Sequence, residues 1–216
     1  LEVRMLDTPL LAIEQSRNEI LKMGDGCIKM LDWLKTLIGQ DEPDKQLADR
    51  LKHREKVLDT VQDEVTHFVT HLLAGNLPHS VAEECGQQLR LADEYESVSD
   101  YVESILRFDL RLRKDGLRLT ERQRQGLVQL HDLVADYVRA IHKAYRDQNP
   151  NAFAKLEAAS KTIRKRVKEL RRDHLADLST ESIAPQVSVA FMGTLNSYSR
   201  VRDHAQNIGE VVSGEK

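Results

Sequence analysis

Tyr95-Glu-Ser-Val-Ser-Asp-Tyr-Val-Glu-Ser-Ile105 recurs near the C-terminus as Tyr198-Ser-Arg-Val-Arg-Asp-His-Ala-Gln-Asn-Ile208. Tyr, Val, Asp and Ile fall at matching places, and each copy is the last long helical pattern in its half of the chain. An internal repeat of this size implies two similar helical lobes. The matching aspartates, Asp100 and Asp203, lie off the apolar positions. A repeat that keeps a polar residue away from its core points to a site as well as a scaffold.

Working outward, six amphipathic patterns carry start and stop signals. The first runs from Pro9 to Ile38, with Asp7 or Thr8 as cap and Pro9 at the first helical position. The second runs from Asp44 to Ala74 and breaks at Gly75-Asn-Leu-Pro-His-Ser80. Ser80 with Glu83 reads as a capping box for the third, which ends at Lys114 before Asp115-Gly116. Thr120 with Gln123 forms a second capping box and opens the fourth, which reaches Asp147. Asn149-Pro150 opens the fifth. Ser179 and Thr180 separate it from the sixth, over residues 182–212. Met23, Cys27, Met30, Leu31 and Leu34 of the first helix align with Leu130, Val134, Tyr137, Val138 and Ile141 of the fourth. The expected fold is all-α: two repeated three-helix bundles of antiparallel helices, over 1–115 and 116–216.

Composition agrees with long amphipathic helices. The 216 residues are 40% hydrophobic, 31% charged and 5% aromatic, with ten Gly and five Pro. The net charge of −3 argues against a nucleic-acid partner for the chain as a whole. Cys27 and Cys85 make no metal or redox motif and read as semi-buried thiols in a reducing compartment. No signal peptide or transmembrane run is visible. The chain begins at Leu1 rather than Met, which reads as a domain cut from a longer protein.

Two acidic pairs carry the chemistry. On the second helix the apolar stripe is Leu47, Leu51, Leu58, Val61, Val65, Phe68 and Leu72. Glu55, Asp59, Asp63, His67 and His71 step along another face, roughly 100° or more away. On the third helix Glu96 and Asp100 lie opposite Leu91, Tyr95, Val98, Val102 and Ile105. Thirty-five acids give about five or six such pairs by chance, and acids off an apolar stripe ordinarily form a solvated face. Here the pairs fall on sequential helices, so four carboxylates could converge on one hard cation. His67 and His71 could share a metal or sit partly buried on the helix shoulder. The basic run Lys161-Thr-Ile-Arg-Lys-Arg-Val-Lys168 reads as a solvated face, or as a contact for an acidic partner, nucleic acid or anionic lipid. No phosphate loop, GxSxG or HExxH is present. His174 and His204 each follow an aspartate, which reads as ordinary surface pairing.

Together Glu96-Ser-Val-Ser-Asp100 on the third helix and Asp203-His-Ala-Gln-Asn-Ile208 on the sixth resemble the PhoU family of bacterial phosphate-uptake regulators. The resemblance spans essentially the whole chain. It implies a metal site at Glu55, Asp59, Glu96 and Asp100 for a divalent or trivalent ion (Fe, Zn, Mn or Mg), no catalysis, and a weaker second site at Asp203. In the second copy Ser199 stands where a glutamate is usual, and several stripe-preserving registers of the fifth helix put lysine or arginine, for instance Arg164 and Lys168, where acids are usual, so Asp203 could pair with one of those cations. Leu6-Asp-Thr-Pro-Leu-Leu-Ala-Ile13 and Leu21-Lys-Met-Gly24 are similar to PhoU-like domains at the C-terminus of sodium/phosphate cotransporters. That narrower resemblance implies a regulatory domain on the cytoplasmic side of the bacterial inner membrane. Its partner would be the membrane transporter of the same chain or complex, with the membrane surface at hand and room for an oligomer. The alternative is a free-standing PhoU-type regulator that binds a sensor kinase or a transporter. A metal-dependent hydrolase is the remaining reading, but neither a base nor a substrate pocket is visible in the sequence.

Overall fold

The computed structural model describes residues 8–42, 44–75, 77–149, 151–180 and 182–214. They form six helices and, among the described residues, no strand: α1 (Pro9–Gly39), α2 (Lys45–Leu73), α3 (His79–Lys114), α4 (Glu121–Arg146), α5 (Ala152–Thr180) and α6 (Pro185–Ser213). The local signals explain most boundaries. Asp44 Oδ1 accepts from the amides of Gln46 and Leu47, satisfying two of the first-turn donors of α2. Thr120 and Gln123 close a reciprocal capping box. Gly116 takes φ +70 at the end of α3, a left-handed conformation that glycine adopts without a Cβ penalty.

Two boundary expectations need correction. The capping box at Ser80 and Glu83 does not form, because α3 starts at His79, with Pro78 as its cap two residues before Ser80 and no side-chain cap bond. Pro78 supplies the extended entry, and Glu83 pairs instead with His79 at 3.3 Å. The fifth helix begins at Ala152 rather than at the Asn149-Pro150 step. Asn149 still accepts from the Asn151 amide through Oδ1. Pro150 lies outside the described residues, as do Leu6 and Asp7 of the opening motif.

Helices α1, α2 and α3 pack on one another, as do α4, α5 and α6. The bundles join through α3 against α6, the most extensive helix pair, and through α1 against α4. Stripe residues from both bundles therefore merge into one continuous core, with Tyr95, Tyr198, Leu31 and Val138 all inside it. Polar ties cross the seam. Glu94 on α3 accepts from Asn207 and is bonded to His204 Nδ1 at 2.7 Å, both on α6. Lys35 on α1 pairs with Asp132 on α4 at 2.7 Å. Asp25 on α1 pairs with His142 at 3.2 Å and with Arg146, both on α4. At the far end of α1, Arg113 donates to the carbonyls of Leu37, Gln40 and Asp41, completing acceptors that a helix C-terminus leaves open.

Candidate functional site

The packing of α2 against α3 brings the predicted acids together. Leu51, Leu58 and Val65 anchor α2 in the core, while Tyr95, Val98 and Val102 anchor α3. Four-residue spacing then carries Glu55 and Asp59 to one side of the helix pair, beside Glu96 and Asp100. Asp59 is exposed, and the other three are half-buried. Burial pushes the Glu55 carboxyl up, and the negative charges of Glu103, Asp100 and Asp59 push it further. Glu96 is raised first by burial, then by Asp100 and Asp59, against a hydrogen bond from Ser97. The four acids thus feel one another across the two helices. Glu103, one turn beyond Asp100, belongs to the same group.

This donor set suits a hard cation in chemistry and in charge: the acids raise Glu55 and Glu96 by their negative charge, and a bound cation would relieve that repulsion. The side chains are not gathered into a closed ligand set, since no group of three or more His, Cys, Asp or Glu among the described residues is arranged to hold an ion. Glu103 also accepts from Arg107 at 2.6 Å, which holds it along α3. His67 and His71 are both exposed on α2, neither partly buried nor gathered with the acids.

The equivalent face of the second bundle has different chemistry. Asp203 pairs at 2.5 Å with Arg202 of its own helix, rather than with Arg164 or Lys168 of α5. Arg202 is 95% hidden from solvent at 5% exposure, and its Nε and Nη1 have no protein partner. Burial lowers the guanidinium, Asp203 opposes that shift, and Arg164 adds to it. Arg164 also donates to Gln206 at 3.3 Å. A guanidinium therefore occupies the region where the first bundle gathers carboxylates.

Residues 127–212, which cover most of α4 through α6, match the PhoU domain. The chain carries a PhoU-like domain. A curated relative from Xylella fastidiosa (strain 9a5c), a phosphate-specific transport system accessory protein PhoU homolog, is 24% identical over 197 residues, covering 90% of this chain and 80% of the relative. The fold resembles PhoU from Pseudomonas aeruginosa, with a TM-score of 0.73, 19% identity and coverage of 94% of this chain and 95% of that one. It also resembles the phosphate transport system regulatory protein PhoU from Streptococcus pneumoniae, with a TM-score of 0.81, 15% identity and 95% of each chain covered. At these identities the solved structures speak to the fold alone.

Within this PhoU-like frame, the α6 motif Asp203-His-Ala-Gln-Asn-Ile208 serves the seam. His204 and Asn207 hold Glu94 across to α3, and the His204 ring stacks on Tyr101 at 5.5 Å. Sequence reading left His204 as a surface group and missed Glu94 and Glu103. Glu103 was within reach, because it stands one helical turn after Asp100. Glu94 gave no signal, since its partners lie 110 and 113 residues away.

Proposed function

We propose that this chain is a PhoU-type regulator of phosphate transport, free-standing and acting by contact with a partner rather than by catalysis. The observation that carries this reading is the PhoU match in α4–α6 together with a fold that follows PhoU structures over nearly the whole chain. The named relatives are an accessory and a regulatory protein, which favours the free-standing form over a cotransporter tail. No described helix is long and apolar enough to cross a membrane. The chain works on the cytoplasmic side of the inner membrane. There the exposed cations of α5, Lys161, Lys165, Lys168, Arg171 and Arg172, can approach anionic head groups. Each contributes about 1 kcal/mol near such a surface.

The first bundle takes a divalent or trivalent cation on Glu55, Asp59, Glu96 and Asp100, with Glu103 as a fifth donor. The cation neutralises the face and draws its carboxylates together. A bound ion alters regulation only where it prefers one docked arrangement over another, because equal affinity for both shifts nothing. The second bundle, with Arg202 on Asp203, binds metal more weakly.

Two measurements test this. Phosphate uptake is compared at low and high phosphate in cells lacking the chain and in cells with it restored. The expected result is uptake that no longer responds to external phosphate in its absence, and identical uptake overturns the regulatory reading. Metal content is compared for the wild type, the double variant Glu96→Ala with Asp100→Ala, and Asp203→Ala. The double variant loses metal and Asp203→Ala keeps it; equal loss in both removes the asymmetry.

A further inference from the structure

Helix α2 changes chemistry along its length. Its middle carries the oxygen donors Glu55 and Asp59. Further on come Asp63, His67 and His71, still at intervals of four. Residues four apart on an α-helix lie one above the other, with Cβ atoms about 5–6 Å apart. Two imidazoles in that relation can each turn one ring nitrogen onto the same ion, which is how a helical His-x-x-x-His pair holds zinc.

This pair differs from the other histidines of the chain. His131, His142 and His174 are buried in the core. His204 is held by Glu94 at 2.7 Å, and His79 lies 3.3 Å from Glu83. His53 is exposed but stands among Arg50, Lys52 and Lys56, with no second histidine a turn away. His67 and His71 are both exposed, and neither makes a hydrogen bond or an ion pair among the described residues. Their rings can therefore turn toward one ion without giving up a protein contact.

The local field favours a cation. His71 lies in the last turn of α2, where the aligned peptide dipoles present partial negative charge. Asp63 and Glu64, one turn before His67, are exposed and have no ion pair among the described residues. The chain carries no lysine or arginine from residue 57 to residue 89. Carboxylate oxygens alone suit magnesium or calcium, whereas imidazole nitrogen shifts the preference to zinc, nickel or copper.

We propose that His67 and His71 chelate a borderline divalent transition ion of the zinc type, at a site separate from the acidic face between α2 and α3. Each ring gives one nitrogen, and water completes the shell. Asp63 contributes through its charge rather than as a third ligand, because no group of three such side chains among the described residues is arranged to hold an ion. This site goes beyond the phosphate-regulation reading and depends neither on it nor on the hard cation.

The test uses the full untagged chain carrying Glu96→Ala and Asp100→Ala, which silences the acidic face, titrated calorimetrically with zinc chloride at pH 7. The expected result is saturable binding with a dissociation constant below about 1 mM. In that background His67→Gln and His71→Gln should each weaken zinc roughly tenfold or more, since one chelating arm is lost. His53→Gln should leave it unchanged. In NMR spectra of the histidine rings, the signals of His67 and His71 should shift together with zinc, and magnesium should move neither. Neither ring has a protein partner, so thermal unfolding of the two variants without metal should stay at or above that of their parent, which separates lost binding from lost fold. Absence of saturable zinc binding in the acid-silenced chain overturns the proposal. So does binding that survives either substitution, or an equal loss in His53→Gln, which would assign zinc to scattered surface histidines.

Discussion

Tyr95 and Tyr198 are equivalent residues of the two bundles, and each bonds a histidine Nδ1 from inside the core, yet the two histidines come from different places. Tyr198 on α6 reaches His131 at 2.9 Å within its own bundle. Tyr95 on α3 reaches His142 at 2.8 Å across the seam, on α4. The alignment of α1 with α4 explains the difference. The residue equivalent to His131 is Gly24, and the His142 ring sits where a side chain at Gly24 would stand. Losing one side chain from the first bundle opens a notch, and a histidine of the second bundle fills it. The repeat is thereby turned into an interlock, with Asp25 and Arg146 bonded to the outer nitrogen of the same ring.

The strongest way to break this comparison is to refill the notch. Gly24→Ala puts a methyl into the His142 ring and displaces it from Tyr95, so we expect a loss of about 3 kcal/mol by chemical denaturation. In a His142→Ala background the same change meets no ring. There it should be neutral or gain up to about 1 kcal/mol from better helix propensity. A loss of equal size in both backgrounds would show that the interlock is not what Gly24 provides.

A smaller effect separates the histidines by pH. Burial lowers His131 to about 4 from its ordinary 6.5, outweighing the neighbouring Asp132. The folded state therefore holds neutral imidazole. Its contribution is complete above pH 6.5 and is lost as pH falls toward 4. The loss amounts to roughly 2–3 kcal/mol by pH 4.5. His142 is also lowered by burial, but the adjacent Asp25 opposes the shift, so its share is smaller. Stability measured from pH 7 to 4.5 should fall less steeply for His131→Gln, which keeps a partner for Tyr198, than for the wild type. Matching slopes would assign the acid sensitivity elsewhere.

The scaffold was largely legible because helix signals are local. The stripe on α3, Leu91, Tyr95, Val98, Val102 and Ile105, is buried as its spacing required. The pair Thr120 and Gln123 caps where its chemistry predicts, and Asp44, read as the start of the second helix, turns out to be its cap. Ser80 failed because Pro78 supplied an equally good start two residues earlier, a competition that pattern alone does not rank. The acidic face was legible in the residues but not in their arrangement, since spacing places carboxylates on a face without fixing their rotamers. The seam was hidden: Gly24 with His142, and Glu94 with His204 and Asn207, are contacts between distant segments. The α6 motif pointed to Asp203 while its neighbours did the joining.

The finest contrast lies in the sign of neutralising one acid in each bundle. Glu96 stands among acids and is raised by burial and by Asp100 and Asp59, so its charge opposes folding when no cation is bound. For an acid raised in the folded state, stability increases as pH falls through the raised value. Glu96→Gln should then gain a few tenths of a kcal/mol at pH 7, on the order of 0.3, because the group is largely solvated. That gain should shrink on acidification and on adding a divalent ion that stabilises the wild type. Asp203 is the charge partner of a buried guanidinium. Asp203→Asn leaves Arg202 without it and should lose about 1 kcal/mol, with part of the charge still screened by water at the half-exposed aspartate. Urea titrations of the two variants at pH 7 without added metal measure both. Shifts in the same direction would mean that the two faces are electrostatically alike and that the substitution of Ser199 and Arg202 into the second copy did not change its polarity.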